Sequence, residues 1–398
     1  MKKVLFVINT LGGAGAEKAL LELLKRFPKE QYEVSLYVLL DQGELISQIP
    51  KHVKILNREY SDVSVLSKEG KKVLNKKIWK RLWIRGAVFR NLPFLIRNAI
   101  VMLKKDKIRP DKLLWCVMSD SGQVIKEHYD MAIAYLEGGA TYYVHDHINA
   151  DRKYTFLHVD YGFAGYTRKL DRNCYLDFDR IFTVSDEVKK SFVEAYPECR
   201  DDTYVFHNLI DQKEIRRKAE LPGGFEDSYD GKRILTVGRL TAQKAYEISI
   251  DAMKILKDHG VKARWYVLGE GELREKLQSQ IKRLGLEKDF LLLGAKTNPY
   301  PYYKQCDLYV HATRFEGKSI AIQEAQTLGC TILVSDCSGN REQVIQGEDG
   351  MMCGLTPEEV SKNIEELLKN PQKCRELGKK ASVKLTSEDK DVLKLFQI

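Results

Sequence analysis

A strand, a glycine turn and a helix in direct succession open this chain, and the same order begins again near residue 233. The apolar run Lys2–Asn9 leads into Gly12-Gly13-Ala14-Gly15, and Leu20, Leu21, Leu23 and Leu24 then recur at helical spacing within Glu17–Phe27. That is the opening of a βαβ unit. Glu33–Leu40 alternates and is rich in β-formers, while Met131–Leu136, Thr155–His158 and Ile181–Val184 are short apolar runs of the kind buried in parallel sheets. After the Pro222-Gly223-Gly224 loop the order restarts with strand Arg233–Val237, turn Gly238-Arg239-Leu240 and helix Tyr246–Asp258. Further strands are expected at Arg264–Leu268, Phe290–Leu293, Leu308–His311 and Thr331–Ser335, with a helix from Ser319 to Leu328.

Strands alternating with helices in two separate stretches predict an α/β chain of two doubly wound domains. A length of 398 residues gives each domain a core of its own. Such sheets bind ligands beyond the carboxyl ends of their strands. The turns at 12–15, 238–244, 269–271, 294–297 and 312–319 are therefore expected to gather on a central cleft that the two domains face. The expected boundaries are 1–208, 209–380 and a C-terminal segment 381–398, with a helix over the last dozen residues crossing back to the first domain.

Apolar residues make up 43% and charged residues 30%, which excludes disorder or a fibre as the main state. No run of about 18 uncharged apolar residues exists, so no spanning helix is expected. Asn9 and Thr10 interrupt the first apolar run, which reads as a buried strand and not as a leader. The eight cysteines form no CxxC pair and have no zinc-like spacing with histidine; they are expected to be small buried hydrophobes in a reducing compartment.

Two stretches carry chemistry. Arg239 and Lys244 stand in the turn after strand 233–237, and a guanidinium with an ammonium five positions on suits a diphosphate. Read alone they are equally a solvated turn. In Arg314-Phe315-Glu316-Gly317-Lys318-Ser319, Ser319 is placed to cap the following helix, whose first-turn amides form an anion site. Glu316 precedes that cap and Glu324 lies just over two helical turns further on. Two such carboxylates suit sugar and ribose hydroxyls; the plainer reading is a helix with a solvated glutamate at each end.

The spacing Glu316-(seven residues)-Glu324 resembles the E-x7-E motif of the retaining family-4 glycosyltransferases, which have the GT-B fold. The neighbouring motifs follow that family's order: the Gly12–Glu17 glycine loop, His158 in Phe-Leu-His-Val-Asp, Asn208-Leu209-Ile210-Asp211, Val237–Lys244, Val267–Glu272 and Ser335–Gly350. Departures are Lys318-Ser319 where Phe-Gly is usual, Leu209 for a glycine, Ser338 for the first of two glycines and Ala245 for a glycine.

The resemblance implies a retaining hexosyltransferase of bacterial surface-polysaccharide type. Its GT-B fold has two Rossmann-like domains, acceptor-side then donor-side. Glu316, His158, Arg239 and Lys244 would be catalytic, with Arg239 and Lys244 stabilising the leaving nucleotide diphosphate. Gly13, Lys296, Lys318, Ser319, Ile320 and Glu324 would complete donor binding, Glu324 through the ribose. Gly12, Gly13 and Ala14 would serve the acceptor. The donor would be a UDP-linked hexose or N-acetylhexosamine, with GDP second, and the acceptor a glycan or lipid-linked precursor. Domain closure over the donor would gate the reaction. The resemblance implies that neither a metal nor another cofactor is needed, and the absence of a DxD at a strand end agrees, two cations and a helix terminus replacing Mg²⁺.

The net charge of +9 is concentrated in one segment. Residues 68–112 hold 15 Lys and Arg against 3 acids, and the remainder 50 basic against 53 acidic residues. Tryptophans interleave with these cations, and Leu95, Ile96, Ala99, Ile100 and Leu103 recur at helical spacing. Contact with an anionic membrane surface is expected through Lys76, Lys77, Trp79, Lys80, Arg81, Trp83 and Arg85. The enzyme would then lie in the cytoplasm, peripheral at the inner face of the cell membrane. A helical insert covering the domain core is the plainer reading; no nucleic-acid motif accompanies the charge, so no nucleic-acid partner is expected.

Three rivals remain, one of them a membrane- or nucleic-acid-binding protein driven by residues 68–112, which would lose all activity with that segment's charge. A GT-B epimerase would isomerise a UDP-sugar without an acceptor, and a non-catalytic nucleotide- or glycan-binding module would bind without turnover. Transfer of labelled sugar to an acceptor separates these two from a transferase.

Overall fold

A computed structural model describes residues 1–65, 67–104 and 110–384. The expected crossing helix over the last dozen residues lies outside these, as do 105–109 of the basic segment. Contacts cluster the chain into two compact units that divide between Asn208 and Leu209.

The first unit is built on a seven-stranded sheet: β1 (Lys2–Ile8), β2 (Tyr32–Val38), β3 (Lys54–Ile55), β4 (His128–Ala134), β5 (Asn149–Leu157), β6 (Arg180–Thr183) and β7 (Thr203–Val205). The second holds a six-stranded sheet: β8 (Lys232–Val237), β9 (Ala263–Leu268), β10 (Phe290–Gly294), β11 (Leu308–His311), β12 (Ile332–Ser335) and β13 (Met351–Cys353). The strand orders are β3-β2-β1-β4-β5-β6-β7 and β10-β9-β8-β11-β12-β13. Every pairing is parallel.

Continuous apolar runs make the central strands. Val4 to Ile8 are all fully buried, each side chain contributing ~1.5–3 kcal/mol, because helices cover both faces of the sheet. Helices Gly15–Arg26 and Tyr246–Asp258 lie in the places expected for them. Both sheets reverse their strand order at the middle, between β1 and β4 and between β8 and β11. Those are the switch points at which such folds bind ligands, beyond the carboxyl ends of the strands.

The basic segment forms helices Lys68–Trp83, Ala87–Arg90 and Leu92–Lys104, inserted between β3 and β4. Arg85 and Gly86 break the run in left-handed conformation, with φ of 52° and 64°. The helical stretch through Arg90 then meets the Leu92–Lys104 helix at 90°. Leu74, Ile78, Leu82, Phe94 and Leu95 pack on the core of the first unit. Asn98 and Met102 are buried, whereas Ile96, Ile100 and Leu103 face outward. The apolar face read from Leu95–Leu103 spacing is thus divided: Leu95 turns to the core and Ile96, Ile100 and Leu103 turn away.

Two of the cations assigned to a membrane face point inward. Arg81, 7% exposed, pairs with the Asp41 carboxylate. Lys77 donates to the Asp41 carbonyl at 2.5 Å. Asp41 draws both into the fold, so neither belongs to an outer surface. Lys76, Trp79, Lys80, Trp83 and Arg85 remain exposed. No single helix among the described residues is long and apolar enough to cross a membrane. The eight cysteines are free thiols, five of them buried.

Candidate active site

The second unit gathers its chemistry at the β8/β11 switch point. β8 ends at Val237 and delivers Arg239 and Lys244; β11 ends at His311 and delivers Glu316. The Lys244 ammonium pairs with Glu316 Oε2. His311 Nε2 lies 3.1 Å from Lys244 Nζ and 3.1 Å from Glu316 Oε2. On its other side the His311 Nδ1 is 3.0 Å from the Tyr309 hydroxyl. Gln243 Nε2 donates to the Phe315 carbonyl at 2.9 Å and reaches Glu316 Oε1 at 3.4 Å.

Burial opposes charge on Glu316, but the Lys244 cation and the hydrogen bond from His311 prevail and hold its carboxyl down at about 2. Burial and the same cation push His311 down to about 4, so the imidazole is neutral at pH 7. The site thus holds one ammonium, one carboxylate and one neutral imidazole. Arg239 is exposed in the turn after β8, with no ion pair among the described residues.

Helix Ile320–Thr327 begins beside them with Ser319 at its cap position, yet the Ser319 hydroxyl makes no cap hydrogen bond. The Ser319 amide, expected to face an anion, donates instead to Gln343 Oε1 at 2.7 Å, and Gln343 Nε2 donates back to Ser319 O at 2.9 Å. The helix ladder starts with Gln323 N–H donating to Ser319 O. Ile320 to Ile322 therefore carry the first-turn amides that lie ahead of it. Glu324, on this helix and buried, accepts from Tyr300 and Tyr303 hydroxyls at 3.1 Å each. Lys296 is exposed on the loop after β10. Gly339 closes the motif loop from behind: a Cβ there would lie 2.0 Å from Gly317 O and 2.4 Å from Glu316 O, which only glycine avoids.

The first unit has a polar cluster at its own switch point. Asn9, after β1, donates to Glu137 O at 3.2 Å and accepts from the Ala140 amide at 2.7 Å. His158, after β5, donates its backbone N–H to Glu137 Oε2 at 3.0 Å. Burial drives the His158 ring down to about 3, so it is neutral, and its shielded Nε2 has no hydrogen-bond partner among the described residues. Burial raises the Glu137 carboxyl, against the amide of His158 and the charge of Lys112. The Gly13 amide donates to Glu44 Oε1 at 2.9 Å, and Ser64 donates to the same oxygen at 2.9 Å. Ala14 is the cap residue of the first helix, in extended conformation and without a side-chain cap bond. A Cβ on Gly12 would lie 2.5 Å from Val65 Cγ2.

Sequence reading therefore placed Lys244, Glu316, Ser319, Ile320 and Glu324 in one neighbourhood, and His158, Gly12, Gly13 and Ala14 in the other unit. It missed His311, Tyr309, Tyr303, Gln343, Glu44 and Glu137. A histidine ending an apolar strand was the one available signal, since a lone imidazole in that position needs a polar partner.

Residues 217–384 match the family model described as Glycosyl transferases group 1. An N-acetylgalactosaminyltransferase of Campylobacter jejuni, named for the substrate N-acetylgalactosamine-N,N'-diacetylbacillosaminyl-diphospho-undecaprenol, is 31% identical over 47% of this chain and 50% of its own. The chain thus spans about half the length of that relative. A second Campylobacter jejuni protein, named as the GalNAc-alpha-(1->4)-GalNAc-alpha-(1->3)-diNAcBac-PP-undecaprenol alpha-1,4-N-acetyl-D-galactosaminyltransferase, is 23% identical over 95% of this chain and 92% of its own. Anabaena HepE, crystallised with UDP and glucose, aligns with a TM-score of 0.67 over 96% of this chain and 94% of that one, at 18% identity. The fold is that of the GT-B glycosyltransferases, and the match to the group 1 glycosyl transferase model falls in its second unit.

Proposed function

We propose that the protein transfers a hexose or N-acetylhexosamine from a UDP-sugar to a glycan or lipid-linked acceptor, with retention of configuration, in cell-surface polysaccharide synthesis. The Lys244–Glu316–His311 cluster at the β8/β11 switch point carries this reading. Lys244 and Arg239 would neutralise the diphosphate as the sugar departs, and the Ile320–Ile322 amides would add the field of the helix terminus. Glu324, fixed by two tyrosines, would accept from the ribose hydroxyls. Glu316 would face the donor sugar, Lys318 and Lys296 would flank the donor, and neutral His158 would orient the sugar. Gly12 to Ala14 would serve the acceptor. The cations and amides would make a divalent ion dispensable. The relatives named for undecaprenol-linked substrates support the acceptor class.

The exposed row Trp79, Trp83 and Phe89, at 64%, 56% and 64%, supports membrane contact for the first unit. Its rings stand 6.5 and 5.8 Å apart in sequence, beside Lys76 and Lys80. An anionic bilayer on the cytoplasmic side would receive both the rings and the charge.

Calorimetric titration with UDP, GDP and ADP in EDTA tests the donor site. Binding of UDP that is lost in Lys244→Ala and Glu324→Ala supports the reading, and binding of none of the three overturns it. Transfer of labelled sugar from a panel of UDP-hexoses to lipid-linked acceptors tests the reaction.

A further inference from the structure

Between Glu316 and Glu324 runs a row of four rings: His311, Tyr309, Tyr303 and Tyr300. Adjacent ring centres are 6.0, 5.2 and 6.5 Å apart. His311, Tyr309 and Tyr303 are at most 1% exposed. Each end of the row holds one glutamate: His311 faces Glu316 Oε2 at 3.1 Å, and Tyr303 and Tyr300 donate to the two oxygens of Glu324.

The proposed reaction makes opposed demands on Lys244. Its charge holds Glu316 as a carboxylate, yet a bound diphosphate would draw the same ammonium away. A buried carboxylate that loses its cation takes up a proton or turns aside. The other groups facing Glu316 are few. Gln243 reaches Oε1 at 3.4 Å, a weak contact. Tyr309 and Cys337 act on it through space, and burial pushes the Cys337 thiol up to about 11, so it brings no charge. Among the described residues His311 is the remaining donor. It is the last residue of β11 and pairs with Val334 of β12, so its ring is anchored to the sheet.

We propose that His311 and Tyr309 are positioning residues: the Tyr309 hydroxyl donates to Nδ1, which leaves the proton on Nε2, and that N–H holds Glu316 ionised and aimed when Lys244 turns to the diphosphate. The inference rests on the glycosyltransferase reading above. Neither residue touches the donor; both act through Glu316.

The test uses His311→Leu, His311→Gln and Tyr309→Phe in the full chain. Gln presents an N–H where Nε2 stands, and Leu presents none. The readouts are ¹⁵N shifts of the His311 ring, UDP affinity, and the pH profile of UDP release from UDP-glucose, UDP-galactose and their 2-acetamido counterparts. In the wild type the ring is expected as the neutral Nε2–H tautomer, and Tyr309→Phe is expected to mix the tautomers. His311→Leu should lower kcat about tenfold or more, within the cost of about 10²-fold for a misplaced group, and raise the acid limb by about one pH unit as Glu316 loses a donor. UDP affinity should stay within about twofold, since the nucleotide is held elsewhere, and His311→Gln should recover most of the activity. An Nδ1–H tautomer, or equal losses in the Leu and Gln variants with an unmoved acid limb, would overturn the proposal. Should His311→Leu fail to fold, Tyr309→Phe keeps the ring and carries the same test. If the wild type binds UDP but cleaves none of these donors, the transferase reading fails, and the tautomer measurement still judges the dyad.

Discussion

The Lys244 ammonium and the Glu316 carboxylate close on each other across neighbouring strands β8 and β11, so the first anion the site binds is its own. A donor diphosphate must share or displace that contact. Lys244→Ala is therefore expected to weaken UDP binding by about 10- to 100-fold, the worth of one charge-assisted contact. It should also release Glu316 toward an ordinary carboxylate titration. Calorimetry reads the first effect, and carboxylate ¹³C titration the second.

Acid should weaken this fold earlier than carboxylates alone would dictate. Folding lowers the pKa of His311 from 6.5 to about 4 and that of His158 from 6.5 to about 3. A group depressed by folding contributes stability that is complete above its unfolded value and is lost as pH falls toward its folded value. The window here is pH 6.5 down to about 3. Glu316, depressed from 4.5 to about 2, adds a further loss below pH 4.5. Urea unfolding between pH 7 and 4 should show the decline, and His311→Gln should flatten part of it.

Gly339→Ala drives a methyl group into two backbone carbonyls, those of Gly317 and Glu316. Backbone cannot swing aside as a side-chain tip can. A loss of about 1–3 kcal/mol in stability is expected, with weakened UDP binding as the motif loop shifts. Urea unfolding and calorimetry check both.

The basic segment offers a contrast between its two faces. Replacing Trp79, Trp83 and Phe89 together by Ala is expected to abolish binding to vesicles containing phosphatidylglycerol while sparing the fold. Arg81→Ala should instead destabilise the first unit by about 1–3 kcal/mol, because the part-buried Asp41 carboxylate loses its cation and keeps, among the described residues, only the Asn57 amide. Vesicle sedimentation and urea unfolding of both variants decide the matter.

Much of the fold was legible because parallel strands buried on both faces appear as short apolar runs followed by turns. β1, β8, β9 and β11 read directly from Lys2, Arg233, Arg264 and Leu308 onward. The strands that escaped, β3, β7 and β13, are edge strands of two or three residues. They are too short for a period to show, and only pairing with a neighbour defines them.

In the site, residues that present charge at fixed offsets from a strand end were found: Lys244, Glu316 and Glu324. Residues that reach it from a different element were not. Gln343 meets Ser319 from 24 positions away, and that long-range bond withdrew an amide that the local pattern had assigned to an anion. Arg81 and Lys77 show the same limit. Their cationic run reads as a surface, and only Asp41, a distant residue in a left-handed turn, turns two of its members inward.

The anchoring of His311 in β11 has one more consequence. Side chains alternate across a strand, so a slip of one residue in the β11–β12 pairing would exchange the imidazole for Val310 or Ala312. The slipped chain would bury Glu316 with half its partners gone and lose energy at a place where a purely aliphatic strand would lose little. The polar centre thus proofreads the assembly of the sheet beneath it: a mispaired second unit is penalised by its own chemistry before any substrate arrives.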